Sequence, residues 1–424
     1  MTLFADAPKS DPREIIRHFT PNWFAANMGT GILALMLAEF PYGHWGQQLL
    51  AQGLWGINVL FFVLFALLFM GRAIFYPDSF RRLFHHPIQS LFIGAIPMGF
   101  ATIVNGMIII WPISASSIAI TEVMWWVDAI LAVISVLLVP FFMFTVHEHH
   151  IEQMTAAWLL PIVPPEVAAA SGGLLAQHLA PAAGTAVIYV SYVLWSISVL
   201  LSMGILAILF LRLTLHKLPH RDMAVSAWLP LGPLGTGAMA MITLGVADQH
   251  VFAGTALAGM AQFGEMAGLF LALLLWGFGL WWMLMAAFFT LRYLGEGLPF
   301  NMGWWGFTFP LGVFDAATYL LAKETHFVVF LPLGAVFTAM LTIFWIIVTQ
   351  RSVVGMWSGR LFRAPCLSAE TGLPEPSRAE AVHQHRPDIT ESLRKYPPGE
   401  RMLFLFLVLK FPNLDGRQPV KSGN

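Results

Sequence analysis

The chain has 424 residues, 58% of them hydrophobic and only 11% charged, with a net charge of −1. A soluble domain carries about 25% charged residues, so this composition, with a mean hydropathy of +0.72, excludes a water-soluble fold. The near-zero net charge says nothing about partners, among which no nucleic acid is expected, and the single cysteine, Cys366, excludes an intramolecular disulfide.

Residues 1–21 include Asp6, Lys9, Asp11, Arg13, Glu14 and Arg17. They are too polar for a signal-peptide core and read as a cytoplasmic N-terminal segment, with insertion starting at the first spanning helix. Apolar runs of about 20 residues, the length that crosses a bilayer as a helix, fall near 22–40, 51–71, 88–110, 122–145, 154–177, 184–211, 223–247, 262–290, 299–321 and 326–349. Ten spans sort the basic residues cleanly. One side receives Lys9, Arg13 and Arg17, then Arg72, Arg81 and Arg82, then Arg212, Lys217 and Arg221, then Arg292 and the eleven from Arg351 onward, and the other side receives only Lys323. Cytoplasmic loops collect Lys and Arg, so both termini are expected in the cytoplasm of a cell (plasma or inner) membrane protein. The membrane domain is expected over 22–350. Residues 351–424 read as a cytoplasmic tail, largely disordered, whose apolar run Met402 to Phe411 is too short to span.

The odd-numbered spans share a feature at intervals of roughly 70 residues, a sign of internal repetition. It reads Ile96-Pro97-Met98-Gly99, Val163-Pro164-Pro165-Glu166, Gly232-Pro233-Leu234-Gly235 and Phe309-Pro310-Leu311-Gly312. In the first span the proline is gone but Ala26-Asn27-Met28-Gly29 remains, followed by Thr30 and Gly31. A proline and a glycine loosen a helix where lipid cannot satisfy freed backbone groups, so such breaks are tolerated when packed in protein or lining a cavity. The expected fold is therefore all-α and polytopic, with ten transmembrane helices as five hairpins in a quasi-fivefold arrangement around a central pore. The odd helices would be inside and the even ones, with runs such as Leu60 to Phe69 and Leu269 to Leu275, would face lipid. The candidate pore-lining residues are Gly29, Thr30, Gly31, Pro97, Gly99, Pro164, Glu166, Pro233, Gly235, Pro310 and Gly312.

No Lys or Arg falls inside an expected span, and the acidic residues that stand out there are Glu166, Asp128 and Asp315. A cation pathway usually shows several intramembrane carboxylates. A helix restarting in mid-membrane instead offers backbone N–H groups and a partial positive charge to an anion. The basic edges Arg72/Arg81/Arg82 and Arg212/Lys217/Arg221 would raise anion concentration at the mouth, or simply obey the charge rule for cytoplasmic loops. Across the five copies the residue before the proline position is Ala26, Ile96, Val163, Gly232 and Phe309, and only Phe309 is bulky enough to close a pore by hydrophobic occlusion. Glu166 replaces the glycine of three other copies, as a proton-linked or a hydrogen-bonded residue, while Asp128 and Asp315 read as satisfied partners between helices. His147, Glu148, His149, His150 and Glu152 have the residue types of a zinc site, but without a second cluster they read as an interfacial turn. No cofactor is expected.

The stretches TPNWFAANMGTGI (20–32), LFIGAIPMGFATIVNG (91–106), MTAAWLLPIVPPEVAAASGGLLA (154–176) and NMGWWGFTFPLGVF (301–314) resemble the tellurite-resistance/dicarboxylate transporter family. That family includes fungal malate permeases and sulfite exporters, the bacterial tellurite-resistance protein and plant slow anion channels. The resemblance spans roughly residues 18–350. It implies a homotrimer of ten-helix protomers, not an enzyme, each with a pore of five inner helices closed by a phenylalanine in the ninth. Phe309 fits that position, with Phe307 as the alternative. The motif forms look closest to the malate and sulfite branch, so the leading expectation is transport of C4-dicarboxylates such as malate. The rivals are export of sulfite or a related oxyanion, and a passive anion channel; a membrane enzyme or metal sensor built on the His147 to Glu152 cluster is a third.

Overall fold

The computed structural model describes residues 12–357 and Leu361. Every regular element among them is helical. Five long helices, α3 (Trp45–Phe75), α6 (Ala115–Thr145), α8 (Pro181–His216), α10 (Ala258–Glu296) and α12 (Phe330–Trp357), alternate with five shorter ones, α2 (Phe24–Glu39), α5 (Ala95–Ile109), α7 (Pro164–Ala176), α9 (Leu231–Phe252) and α11 (Phe309–Thr325). Two small helices, α1 (Pro12–His18) and α4 (Pro77–His85), flank α3.

Composition and burial divide the two sets. Seven segments are long and apolar enough to cross a membrane, namely the five long helices and the segments Ser90–Ile109 and Arg221–Phe252 that contain α5 and α9. The α3 segment is 17% buried and the α9 segment 89%, so one helix class presents its side chains outward and the other is enclosed. Large apolar residues on α3, α6, α8, α10 and α12, among them Leu60, Leu137, Leu200, Phe270 and Ile343, are exposed, which in an apolar solvent costs nothing. The enclosed helices contact one another in sequence: α2 with α5, α5 with α7, α7 with α9, α9 with α11, and α11 with α2, closing a ring. Each long helix lies across a seam of that ring, since α3 touches α2 and α5, α6 touches α5 and α7, α8 touches α7 and α9, α10 touches α9 and α11, and α12 touches α11 and α2.

Small residues set the ring's spacing. A Cβ on Gly235 of α9 would lie 2.6 Å from the Phe314 backbone nitrogen of α11, one on Gly312 of α11 would press into Ile32 of α2, and one on Gly99 of α5 would meet the Cβ of Asn27 on α2 at 3.3 Å. Gly173 of α7 packs in the same way on Thr243 and Leu244 of α9. Close backbone approach of this kind drives helix association where lipid gives no hydrophobic force.

Indole groups tie the outer set to the inner. The Trp125 Nε1 of α6 donates to the Ala168 carbonyl of α7 at 2.8 Å, Trp195 of α8 to the Gly237 carbonyl of α9 at 3.1 Å, Trp276 of α10 to Thr318 Oγ1 of α11 at 2.9 Å, and Trp345 of α12 to Thr30 Oγ1 of α2 at 3.0 Å. On α3, Trp55 packs against Gly106 of α5. α2, α3 and α5 are further joined by Asn27 Nδ2 donating to Asn58 Oδ1 at 3.0 Å and Asn58 Nδ2 to Thr102 Oγ1 at 2.9 Å.

Helix α12 runs to Trp357, seven residues past the end of the last apolar run at 350, and beyond Trp357 all of the tail but Leu361, including Cys366 and Met402 to Phe411, lies outside the described residues. Within the polar N-terminal segment, residues 12–18 form α1, followed by Phe19, whose carbonyl accepts from the buried Arg72 at 2.6 Å; Arg72 also donates to the Ser79 carbonyl at 2.8 Å.

Candidate functional site

Each enclosed helix is preceded by a short 3₁₀ segment: 21–23 before α2, 90–94 before α5, 156–159 before α7, 221–228 before α9 and 302–307 before α11. Pro97, Pro164, Pro233 and Pro310 fall within the first three residues of the α-helical part that follows. A first-turn N–H has no partner inside the helix, so proline there sacrifices no bond. The prolines thus mark where each α-helix begins and do not break a continuous one. None of the five begins with a side-chain cap.

All five starts meet around one cavity of about 470 Å³, bordered by Ala25 and Met28 of α2, Ala95 and Met98 of α5, Val163 before α7, Gly232 of α9, and Phe309 and Pro310 of α11. Five parallel N-termini, each equivalent to roughly half a positive charge, therefore face the same space. That is an attractive field for an anion, with no Lys or Arg among the described lining residues to trap it.

Beyond this cavity lies a second, of about 20 Å³, bordered by residues of the ring helices alone. Each helix gives one stripe: Ile32, Leu35, Met36 and Glu39 from α2, Thr102, Asn105 and Ile109 from α5, Val167 and Ala170 from α7, Thr236 and Met239 from α9, and Phe309, Val313 and Ala316 from α11. Phe309, 3% exposed, is the one residue that borders both cavities. At the far end Glu39 also borders an open vestibule of about 710 Å³ with Gln177, Tyr319 and Lys323. A wide inner chamber, a bulky aromatic side chain, a space that holds about one water molecule and an outer vestibule thus follow one another along the ring.

The other expected lining residues are placed differently. Apart from Pro310, none of Gly29, Thr30, Gly31, Pro97, Gly99, Pro164, Glu166, Pro233, Gly235 and Gly312 borders either cavity. Gly29 packs on Thr308 and Trp305, and Gly31 on Thr102 and Asn58. With Gly99, Gly235 and Gly312 these glycines are spent on helix–helix contact, while Thr30 faces α12. Phe307 borders neither cavity and packs among Trp228, Trp304 and Phe344. At the residue before the proline position, Val163, Gly232 and Phe309 face the wide cavity, whereas in α2 and α5 the neighbours Ala25 and Ala95 take that place.

Charged residues also depart from expectation. Glu166 is fully buried between α7, α8 and α9, its Oε2 beside Gly237, and its carboxyl has no hydrogen-bond partner among the described residues. The nearby Ser198 hydroxyl donates elsewhere, to the Ile162 carbonyl at 2.7 Å. Asp315 accepts from Thr338 at 2.6 Å and joins α11 to α12, as expected. Asp128 does not follow suit, for both of its oxygens lack a partner among the described residues. Of the basic edges, Arg72 and Arg212 are buried inside α3 and α8 and bind backbone carbonyls, so neither guanidinium faces the mouth. Helix α6 ends at Thr145, so His147 and His150 do not share a helical face. The His147 ring bonds to the Phe84 carbonyl at 2.7 Å, and among the described residues no three His, Cys, Asp or Glu side chains gather as metal ligands. Burial first, and then His147 beside it, hold the His149 imidazole below its ordinary value.

Glu39, Asn105 and the pair Met28 and Met98 border the path without standing out in the sequence. Glu39 lies at the end of an expected span, and its alignment with Ile32, Leu35 and Met36 on one helical stripe is the signal that marks it.

Residues 18–353 match the family described as SLAC1, voltage-dependent anion channel. The chain is 42% identical to the sulfite efflux pump SSU1 of Arthroderma benhamiae over 365 residues, covering 84% of this chain and 96% of that protein. It is 30% identical to the uncharacterized transporter MJ0762 of Methanocaldococcus jannaschii, covering 82% and 98%, and 23% identical to the malic acid transport protein of Schizosaccharomyces pombe, covering 80% and 79%.

Proposed function

The chain belongs to the SLAC1 voltage-dependent anion channel family, and from that premise we propose that it carries sulfite or a closely related small oxyanion along the path enclosed by α2, α5, α7, α9 and α11. The observation that carries this reading is the position of Phe309 between the wide cavity and the small one. Five helix starts concentrate anions in the chamber, and Phe309 is the gate. An apolar ring in a narrow, dewetted passage blocks ions until it moves.

Sulfite replaces malate as the leading substrate. The sulfite efflux pump is 42% identical to this chain and the malic acid transport protein 23%. Size supports the same choice. A space of about 20 Å³ holds about one water, and a compact oxyanion needs far less widening there than a four-carbon dicarboxylate.

The fuller architecture belongs to this reading. The segments containing α2, α7 and α11 join the seven long apolar ones to make ten crossings, arranged as five hairpins in quasi-fivefold order. The closed ring of contacts supports this, as does the recurrence of Trp55, Trp125, Trp195, Trp276 and Trp345, one on each outer helix. The wide chamber faces the cytoplasm of a cell membrane, supported by the clustering of Lys and Arg at that end, and the protomers assemble as a homotrimer.

Flux from proteoliposomes tests the substrate. Sulfite is expected to leave faster than malate at equal concentration. Malate flux with no movement of sulfite would return the assignment to a dicarboxylate carrier.

A further inference from the structure

The small cavity beyond Phe309 is bordered by four polar side chains, Glu39, Thr102, Asn105 and Thr236. Their hydrogen-bonding capacity is unevenly committed. The Thr102 hydroxyl donates to the Gly99 carbonyl at 2.7 Å and accepts from Asn58, and the Thr236 hydroxyl donates to the Gly232 carbonyl at 2.5 Å. Each hydroxyl has one proton, so neither has one left for a passing anion. An ionised Glu39 only accepts. Asn105 is different: it is 6% exposed, and its Oδ1 is buried with no partner among the described residues. Buried polar side chains are seldom left in that state.

A primary amide offers an N–H donor and a C=O acceptor on one edge. That edge pairs through two hydrogen bonds with a group that also has one of each, such as S=O beside S–OH in hydrogensulfite. A halide accepts from the N–H and leaves Oδ1 unpaired; fully deprotonated sulfite does the same and sets its charge against the carbonyl. We infer that Asn105 is a specificity-determining residue of the constriction, selecting a singly protonated oxyanion of the hydrogensulfite class over halides and over the dianion. The assignment rests on the proposed transport of a small oxyanion and names the ionic form that passes.

Reconstituted wild type, Asn105→Leu and Asn105→Ser are compared for efflux of sulfite and of chloride, over the pH range in which hydrogensulfite gives way to sulfite. The wild-type rate is expected to follow the hydrogensulfite concentration. In Asn105→Leu the preference for sulfite over chloride is expected to fall about tenfold, the scale of one buried hydrogen bond left unmade, with chloride flux retained; Asn105→Ser, which keeps a donor and an acceptor, should fall between. Melting of each variant in detergent, with and without added sulfite, reads fold and binding separately. Wild type should be stabilised by sulfite, and Asn105→Leu less so from a similar starting temperature. An unchanged sulfite-to-chloride preference, or equal stabilisation by sulfite, would overturn the assignment of Asn105 while leaving sulfite transport intact. Wild type that neither moves nor is stabilised by sulfite would overturn the proposed function itself, and this assignment with it.

Discussion

Replacing Phe309 by alanine is the sharpest perturbation of the path. The ring is 3% exposed and separates a chamber of about 470 Å³ from one of about 20 Å³. For an ion to pass, the ring must leave that position. Fully burying a phenylalanine side chain is worth about 1.5–3 kcal/mol relative to exposing it, and the displaced state is disfavoured by about that amount. With a tenfold change in population for each 1.4 kcal/mol, the closed arrangement outweighs the open one by about 10- to 150-fold. Phe309→Ala removes that difference and is expected to raise sulfite flux about tenfold to a hundredfold, measured as initial efflux from proteoliposomes at matched protein content. Phe309→Leu, with a smaller side chain still in the passage, should give an intermediate rise. Phe307→Ala serves as the comparison, because Phe307 packs among Trp228, Trp304 and Phe344 away from both cavities. It should lower the melting temperature and leave flux per folded protein unchanged. If Phe309→Ala is folded and its flux does not rise, or if Phe307→Ala opens the path equally, Phe309 is not the gate.

Other substitutions test the frame around the path. Gly235→Ala places a methyl group 2.6 Å from the Phe314 backbone nitrogen, where no side chain can yield, and is expected to destabilise by about 1–3 kcal/mol as overpacking does, seen in detergent melting. Gly53→Ala, on the interior of α3 with open space around its Cβ, should instead raise the melting temperature, since alanine favours helix over glycine by about 1 kcal/mol. Arg72→Met leaves the Phe19 and Ser79 carbonyls without their donor and should speed hydrogen exchange in α1 and the 3₁₀ segment that follows it. Glu39→Gln removes an ionisable carboxyl from the junction of the small cavity and the outer vestibule. Where that carboxyl is ionised, its removal is expected to raise anion flux a few-fold, most at low salt, where like-charge repulsion is least screened.

The helical frame was legible in the sequence because apolar length and interrupted periodicity are strong signals. Each of the ten expected spans coincides with one of the long helices or with a 3₁₀ segment and the α-helix it leads into. Phe309 stands out in the sequence as the one bulky side chain at a repeated position, and in the structure it borders both cavities. The roles of the glycines were not legible. A small residue at a helix repeat is equally suited to lining a pore and to bringing two backbones together, and Gly99, Gly235 and Gly312 do the second. The prolines misled for a related reason, since the same residue that breaks a helix interior is neutral in a first turn. Asp128 shows the limit for charge, as no pattern in one chain tells whether an acidic side chain meets a partner. The tryptophan series was overlooked, although Trp55, Trp125, Trp195, Trp276 and Trp345 recur at nearly the interval of the proline motif.

Thiol labelling at Gly232 tests most directly whether anions travel through the inner ring. Gly232 borders the wide chamber, and a Cβ there meets nothing within 4 Å, so cysteine fits without displacing a neighbour. In a Cys366→Ser background, Gly232→Cys should transport normally, and a water-soluble, negatively charged thiol reagent should then abolish most of the sulfite flux, with sulfite present during labelling slowing the reaction. Complete labelling at position 232, verified by mass, with flux undiminished would contradict the path and the gate placed on it.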